Sequence, residues 1–151
     1  MEEDNSLDIK KCTKDDIDKL AILNKELIED EKSDNPMSIE ELKERMCGFL
    51  NGDYYAYFFM KENNVVGYAL VNHSSNPLYL RQFFIDRMYR KQHIGAKAFE
   101  LLLEELRTDC IDLEVLSRNE VGMNFWESCG FVERSRYWIF YLWKNIKDGT
   151  L

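Results

Sequence analysis

The chain has 151 residues, 45% of them hydrophobic and 13% aromatic, enough to close one ordinary core and too few to expect two. Its formal net charge of −8 argues against general nucleic-acid binding, because affinity for phosphates comes from Lys and Arg that displace counterions. No run approaches the ~18 apolar residues of a membrane span, and the acidic start MEEDNSLD is unlike a signal peptide, so a cytoplasmic protein with no membrane partner is expected.

In chain order, LDIKKC reads as a strand and Thr13 to Lys32 as a helix, with Ile17, Leu20, Ala21, Leu23, Asn24 and Leu27 near helical spacing behind a Thr13/Asp16 capping signal. Asn35-Pro36 breaks that helix, and SIEELKERMCGFL restarts one with Ser38 and Glu41 in capping-box positions. YYAYFFMKE and NVVGYALVNH are rich in β-branched and aromatic residues and read as antiparallel strands, with a tight hairpin at Asn63-Asn64. LYLRQFFID is a further strand, Asp86 to Leu106 a helix, CIDLEVLS a strand, NEVGMNFWESC a short helix and RYWIFYLWK, residues 136–144, a last strand.

The order β-α-α-β-β-β-α-β-α-β, an antiparallel front half feeding a β-α-β crossover, predicts an α/β fold with a mixed sheet and helices on its faces. Nothing marks an interior boundary, so residues 1–151 are read as one domain. The four cysteines, Cys12, Cys47, Cys110 and Cys129, stand far apart with no His cluster, so neither a metal site nor a disulfide framework is expected.

Charge is unevenly spread. From Arg81 to Lys97 the chain carries Arg81, Arg87, Arg90, Lys91 and Lys97 against Asp86 alone, so five minus one gives +4 and the remainder is −12. At the same place Gly95 falls in the first turn of a helix, where it costs about 1 kcal/mol against Ala and wants a reason. Either a ligand approaches the free N–H groups there, which favour anions, or Gly95 allows close helix–sheet packing and the basic residues are solvated. The sequence has no G-x-x-x-x-G-K-[ST] and no G-x-G-x-x-G after a strand, which speaks against a P-loop or dinucleotide site.

YRKQHIGAKAFELL after FFID resembles the acetyl-CoA motif of the GCN5-related N-acetyltransferases, R/Q-x-x-G-x-G/A, with Arg90 first, Gly95 at the final glycine and His93 in place of the first. NEVGMNFWESCGF is similar to that family's N-x-x-A-x-x-F-Y-E-x-x-G-F, with Asn119, Gly122, Phe125, Trp126, Glu127, Gly130 and Phe131 in register. The element order agrees over nearly the whole chain.

The resemblance implies that acetyl-CoA is the cosubstrate and that an acetyl group passes to a primary amine by direct attack in a ternary complex. It implies that the pantetheine arm pairs with the backbone of Phe83, Phe84 and Ile85. The pyrophosphate would meet the N–H groups of Arg90, Lys91, Gln92, His93, Ile94, Gly95 and Ala96. Asn119 would contact coenzyme A, cap the following helix, or both. Glu114 stands where some members carry a catalytic carboxylate, and Asp112 shares its strand face; either of the two acts as base, or both lie on an exposed strand face. Trp126 occupies the position where many members have a Tyr acid; an indole N–H has no useful acidity, so that role does not transfer, and Trp126 is expected beside the pantetheine. Cys129 as a covalent nucleophile has no His beside it in sequence to activate it. A non-catalytic acyl-CoA-binding module is the rival reading, and a homodimer is left open. The amine acceptor is not legible: the acids of ELIEDEKSD, residues 26–34, either attract a cationic amine or form a solvated helix end.

Overall fold

The computed structural model describes residues 6–140 and 142, and of Lys91 and Gln92 the backbone alone. Among the described residues five strands, β1 (Asp8–Lys11), β2 (Tyr54–Lys61), β3 (Asn64–Asn72), β4 (Leu78–Ile85) and β5 (Ile111–Leu113), form one sheet in the order β1-β2-β3-β4-β5. The first four are antiparallel neighbours, and β5 joins β4 in parallel, which makes the sheet mixed.

Helices α1 (Ile17–Asp30) and α2 (Ile39–Asn51) cover one face, and α3 (Ile94–Leu106) and α4 (Glu120–Ser128) the other. Leu20, Leu23, Leu27 and Met46 pack with Phe58, Tyr68, Leu70 and Phe84; Ile94, Ala98, Phe99 and Leu102 pack with Phe59, Ala69, Val71, Leu80 and Ile85. Because both faces are covered, β2, β3 and β4 are apolar on both sides and read as nearly continuous apolar runs.

Both expected capping boxes form. Thr13 and Asp16 close one around a 3-10 turn, Lys14–Asp16, that leads into α1, and Ser38 and Glu41 close the other at the start of α2. Lys61 pairs with Asn64, so the hairpin turns on Glu62 and Asn63, one residue earlier than expected; both take positive φ, 51° and 66°, as a two-residue turn matched to strand twist requires.

Three expectations are corrected. The helix predicted from Asp86 begins only at Ile94: Arg87–Gln92 is a 3-10 segment, started by Asp86 Oδ1 accepting from Met88 N at 3.0 Å, and His93 in the left-handed region (φ 58°) separates it from α3. The strand predicted over 110–117 is only Ile111–Leu113, because β4, its partner, offers no ladder beyond Leu80. The strand predicted over 136–144 is not formed at 136–140, where Tyr137, Trp138 and Phe140 are 88%, 84% and 86% exposed; its residues Tyr141, Trp143 and Lys144 lie outside the described residues. Aromatic and β-branched residues suit a half-buried pleated surface, but they do not supply an edge to pair with.

Candidate active site

The site begins at an irregularity in β4. On β3, Leu70 pairs with Gln82 and Val71 with Leu80, so Arg81 is the extra residue of a bulge. The bulge resets the alternation: Leu78, Leu80, Phe83 and Ile85 lie on the α3 side, whereas Gln82 and Phe84 turn toward α1 and α2. The β4–β5 ladder also ends at Leu80. From Gln82 to Ile85, β4 therefore has β3 along one edge and no β5 pairing along the other. Phe83 is half-buried, while Phe84 and Ile85 are buried on opposite faces.

Beyond this open edge lies the start of α3. Arg90 Nε donates to the Ile85 carbonyl at 2.8 Å, tying the 3-10 segment to the strand end. His93, where the similar motif has glycine, adopts the left-handed conformation that glycine takes readily (φ 58°, ψ 22°), at a cost of roughly 1–2 kcal/mol for an L-residue. Its side chain makes no capping bond, so no N-cap side chain competes with a ligand for the first-turn N–H groups from Ile94 onward, at the positive end of the helix dipole.

The basic segment does not act as one patch. Arg87 and Arg90 both pair with Asp30 of α1, a partner invisible in local sequence, and the Arg81 guanidinium lies 4.9 Å from the centre of the Phe49 ring, toward α2. Gly95 answers to packing: a Cβ there would lie 3.0 Å from Cε2 and 3.2 Å from Cζ of Phe125. Of the two readings open in the sequence, close approach of a neighbouring element accounts for this glycine.

Asn119 caps α4, its Oδ1 accepting from Gly122 N at 3.0 Å. A Cβ on Gly122 would stand 2.4 Å from Asn119 Nδ2, which explains glycine where the similar motif has alanine. Trp126 sits in an aromatic cluster that joins α3, α4 and β4, with ring centres 5.0 Å from Phe83, 5.4 Å from Phe99, 4.7 Å from Phe125 and 5.2 Å from Phe131. Burial raises the pKa of the Cys129 thiol, which makes it a poorer nucleophile. Asp112 and Glu114 are both exposed; burial raises the phenol pKa of Tyr79, and the charge of Glu114 raises it further, which puts Glu114 beside Tyr79.

Sequence reasoning missed the groups facing β4 from the other side. The Tyr68 hydroxyl donates to Gln82 Oε1 at 2.7 Å, both buried, and Arg45 Nη2 donates to Asn24 Oδ1 at 3.1 Å. A half-buried carboxylate, Glu31, ends α1 next to them. Two signals were available: Asn24, a polar residue inside the apolar stripe of α1, and the acids of ELIEDEKSD, residues 26–34, among them Glu31. Between α1 and the end of β4 an open cleft of about 180 Å³ is lined by Glu26, Glu29, Phe84, Asp86 and Arg87. Among the described residues no group of three or more His, Cys, Asp or Glu is placed to hold a metal, and no helix is long and apolar enough to cross a membrane.

Residues 20–131 match the model of the acetyltransferase (GNAT) family. No curated protein matches the chain in sequence. Among solved structures the chain is similar to a possible acetyltransferase from Clostridium difficile 630, with 18% identity and a TM-score of 0.74 over 89% of this chain and 96% of that one. It is similar to AAC(6')-Iy in complex with a bisubstrate analogue, CoA-S-monomethyl-acetylneamine, with 18% identity and a TM-score of 0.71 over 93% and 99%. A third is a predicted acetyltransferase with acetyl-CoA from Clostridium acetobutylicum, with 16% identity and a TM-score of 0.70 over 91% and 97%. At these identities the likeness concerns the fold.

Proposed function

Since the chain belongs to the acetyltransferase (GNAT) family, whose model covers residues 20–131, we propose that it moves an acetyl group from acetyl-CoA to a primary amine by direct attack in a ternary complex. One observation carries this reading: the edge of β4 that, among the described residues, is left unpaired after Leu80 leads toward the start of α3. An extended pantetheine arm would pair with the backbone of Phe83, Phe84 and Ile85. The phosphates would lie against the N–H groups of the Arg90–Ala96 segment, including the Lys91 and Gln92 amides, with Ile94, Gly95 and Ala96 at the helix end. Trp126 would bound the gap as an apolar wall, and Asn119 would hold α4 in place by its cap.

Direct attack needs the neutral amine ~3 to 3.5 Å from the thioester carbonyl, with a strand N–H at the far end of the arm from the phosphates polarising that carbonyl. A primary ammonium loses two protons in becoming an amide. We assign one of them to Glu114, on the β5 side of the gap, and the departing thiolate takes its proton from solvent. The whole chain works as one unit in this reading.

The test is a thermal shift with acetyl-CoA followed by thiol release with a panel of primary amines. Stabilisation together with thiol release on some amine supports transfer. Stabilisation with no release on any amine favours a binding module, and no stabilisation by acetyl-CoA removes the reading.

A further inference from the structure

The face of β4 turned away from α3 carries polar groups that neither packing nor coenzyme binding explains. Leu20, Asn24, Leu27 and Glu31 lie four, three and four residues apart, so they share one stripe of α1. Leu20 and Leu27 place that stripe against Tyr68 and Phe84. Asn24 is 1% and Gln82 3% exposed, and among the described residues Gln82 Nε2 has no hydrogen-bond partner. Polar groups buried in this way usually answer to a function or to a missing partner. Tyr68 ties them to the site: its hydroxyl bonds Gln82, the first residue after the bulge, and Glu31 is the charge that most raises its pKa.

We infer that Glu31, at the end of α1, receives the acceptor ammonium on the α1 side of the β4 edge and takes its first proton before attack. This rests on the transfer reaction proposed above. The ammonium R–NH3⁺ gives a proton to the Glu31 carboxylate and becomes R–NH2. The amine lone pair forms the C–N bond, the C–S bond breaks with its pair on sulfur, and the second nitrogen proton leaves to Glu114. The thiolate is protonated by solvent, and Glu31 and Glu114 each return a proton to water, so the sum is amide, thiol and one H⁺.

The surroundings of Glu31 suit that task. Burial, with Asp30 alongside, raises its carboxyl pKa to about 7, close to the value at which a general base works best in neutral solution. It also sits at the negative end of the α1 dipole, which disfavours its charge. Asp30 is neutralised by Arg87 and Arg90 from the segment after β4. From β3 the group near it is Tyr68, whose phenol is pushed well above its ordinary value by burial, and Tyr68 in turn lies near Arg45 of α2. The cleft lined by Glu26, Glu29, Phe84, Asp86 and Arg87 opens between α1 and the end of β4, and its three carboxylates against one guanidinium attract a cationic amine to that side of the strand.

The test compares wild type, Glu31→Gln, Glu31→Asp and Glu114→Gln across pH, with two acceptors of different amine pKa drawn from the active panel. Wild-type kcat/KM should rise with pH through a limb near neutrality that stays in place when the acceptor changes. Glu31→Gln should lose that limb and be slower by about a hundredfold or more at neutral pH, with the deficit shrinking at alkaline pH. Glu31→Asp should restore part of the rate and the limb, and Glu114→Gln should keep the limb. Acetyl-CoA affinity and melting temperature serve as the control for folding. A Glu31→Gln protein that keeps the wild-type rate and limb overturns this assignment while leaving the transfer reaction standing. A wild type that acetylates no amine removes the transfer reaction, and with it this assignment.

Discussion

Phe125 of α4 lies over Gly95 of α3 so closely that a methyl group on Gly95 would sit 3.0 Å from the ring. The two helices meet through this contact, and Phe125 in turn stacks on Phe83 of β4 with ring centres 5.9 Å apart. The glycine in the acetyl-CoA-like motif therefore sets where α4 stands.

Gly95→Val should force the Phe125 ring aside and destabilise the protein by about 1–3 kcal/mol, the usual cost of overpacking. Adding Phe125→Ala should recover part of the Gly95→Val loss, giving a favourable coupling in a double-mutant cycle. Chemical denaturation of the four proteins measures it. Strictly additive losses would show that Gly95 keeps space for something other than Phe125.

Trp126→Phe should stay within about tenfold of wild-type turnover at saturating substrate, because the ring belongs to the Phe83–Phe99–Phe125–Phe131 cluster and carries no proton. The KM for acetyl-CoA should rise if the smaller ring loosens the wall of the gap. Steady-state kinetics on the folded variant decide the matter: turnover slowed by about a hundredfold or more, the scale of a lost general acid, contradicts the assignment.

Asp30→Asn should release Arg87 and Arg90 from their shared partner. Acetyl-CoA should then bind several-fold more tightly at low ionic strength, with the gain fading as salt screens the freed charges. The cost in stability should stay within about 1 kcal/mol, since both arginine side chains are exposed. Removing the negative charge beside Glu31 should also lower the Glu31 pKa, moving the acid limb of kcat/KM to lower pH. Isothermal titration at two salt concentrations decides the first part: unchanged affinity at low salt would place these arginines away from the phosphates.

Glu31 makes a separate prediction for stability. Its carboxyl pKa is about 7 in the fold against an ordinary 4.5, so between those values the folded protein holds a proton that the unfolded chain releases. The stabilisation from this proton is complete below pH 4.5 and is lost as pH rises through 7. Glu31→Gln, which keeps the neutral shape at every pH, should match wild type near pH ~4 and exceed it by about 1–3 kcal/mol near pH ~8. Urea denaturation at the two pH values checks this, and an equal difference at both would mean that Glu31 is not buried as a carboxylic acid.

Sequence alone settled what depends on neighbours along the chain. The Thr13/Asp16 and Ser38/Glu41 boxes, the apolar stripe of α1, the hairpin and the order of elements through α4 are local, since hydrogen bonds and side-chain periods within a few residues decide them. Two spaced motifs were also enough to identify the family, because each is a run of consecutive residues. Tertiary structure decided the rest, because its causes lie far apart in the chain. The bulge at Arg81 and the early end of β5 are properties of strand pairing, and no residue of CIDLEVLS announces that its partner stops at Leu80. Asp30 neutralises Arg87 and Arg90 across 57 and 60 residues, so a segment that reads as a cationic patch is in the fold a pair of bridges. Glu31 reads as one of several acids that either attract a cationic amine or lie on a solvated helix end; only the packing of α1 over Tyr68 takes it partly out of water, and a carboxylate's proton affinity follows its surroundings rather than its name.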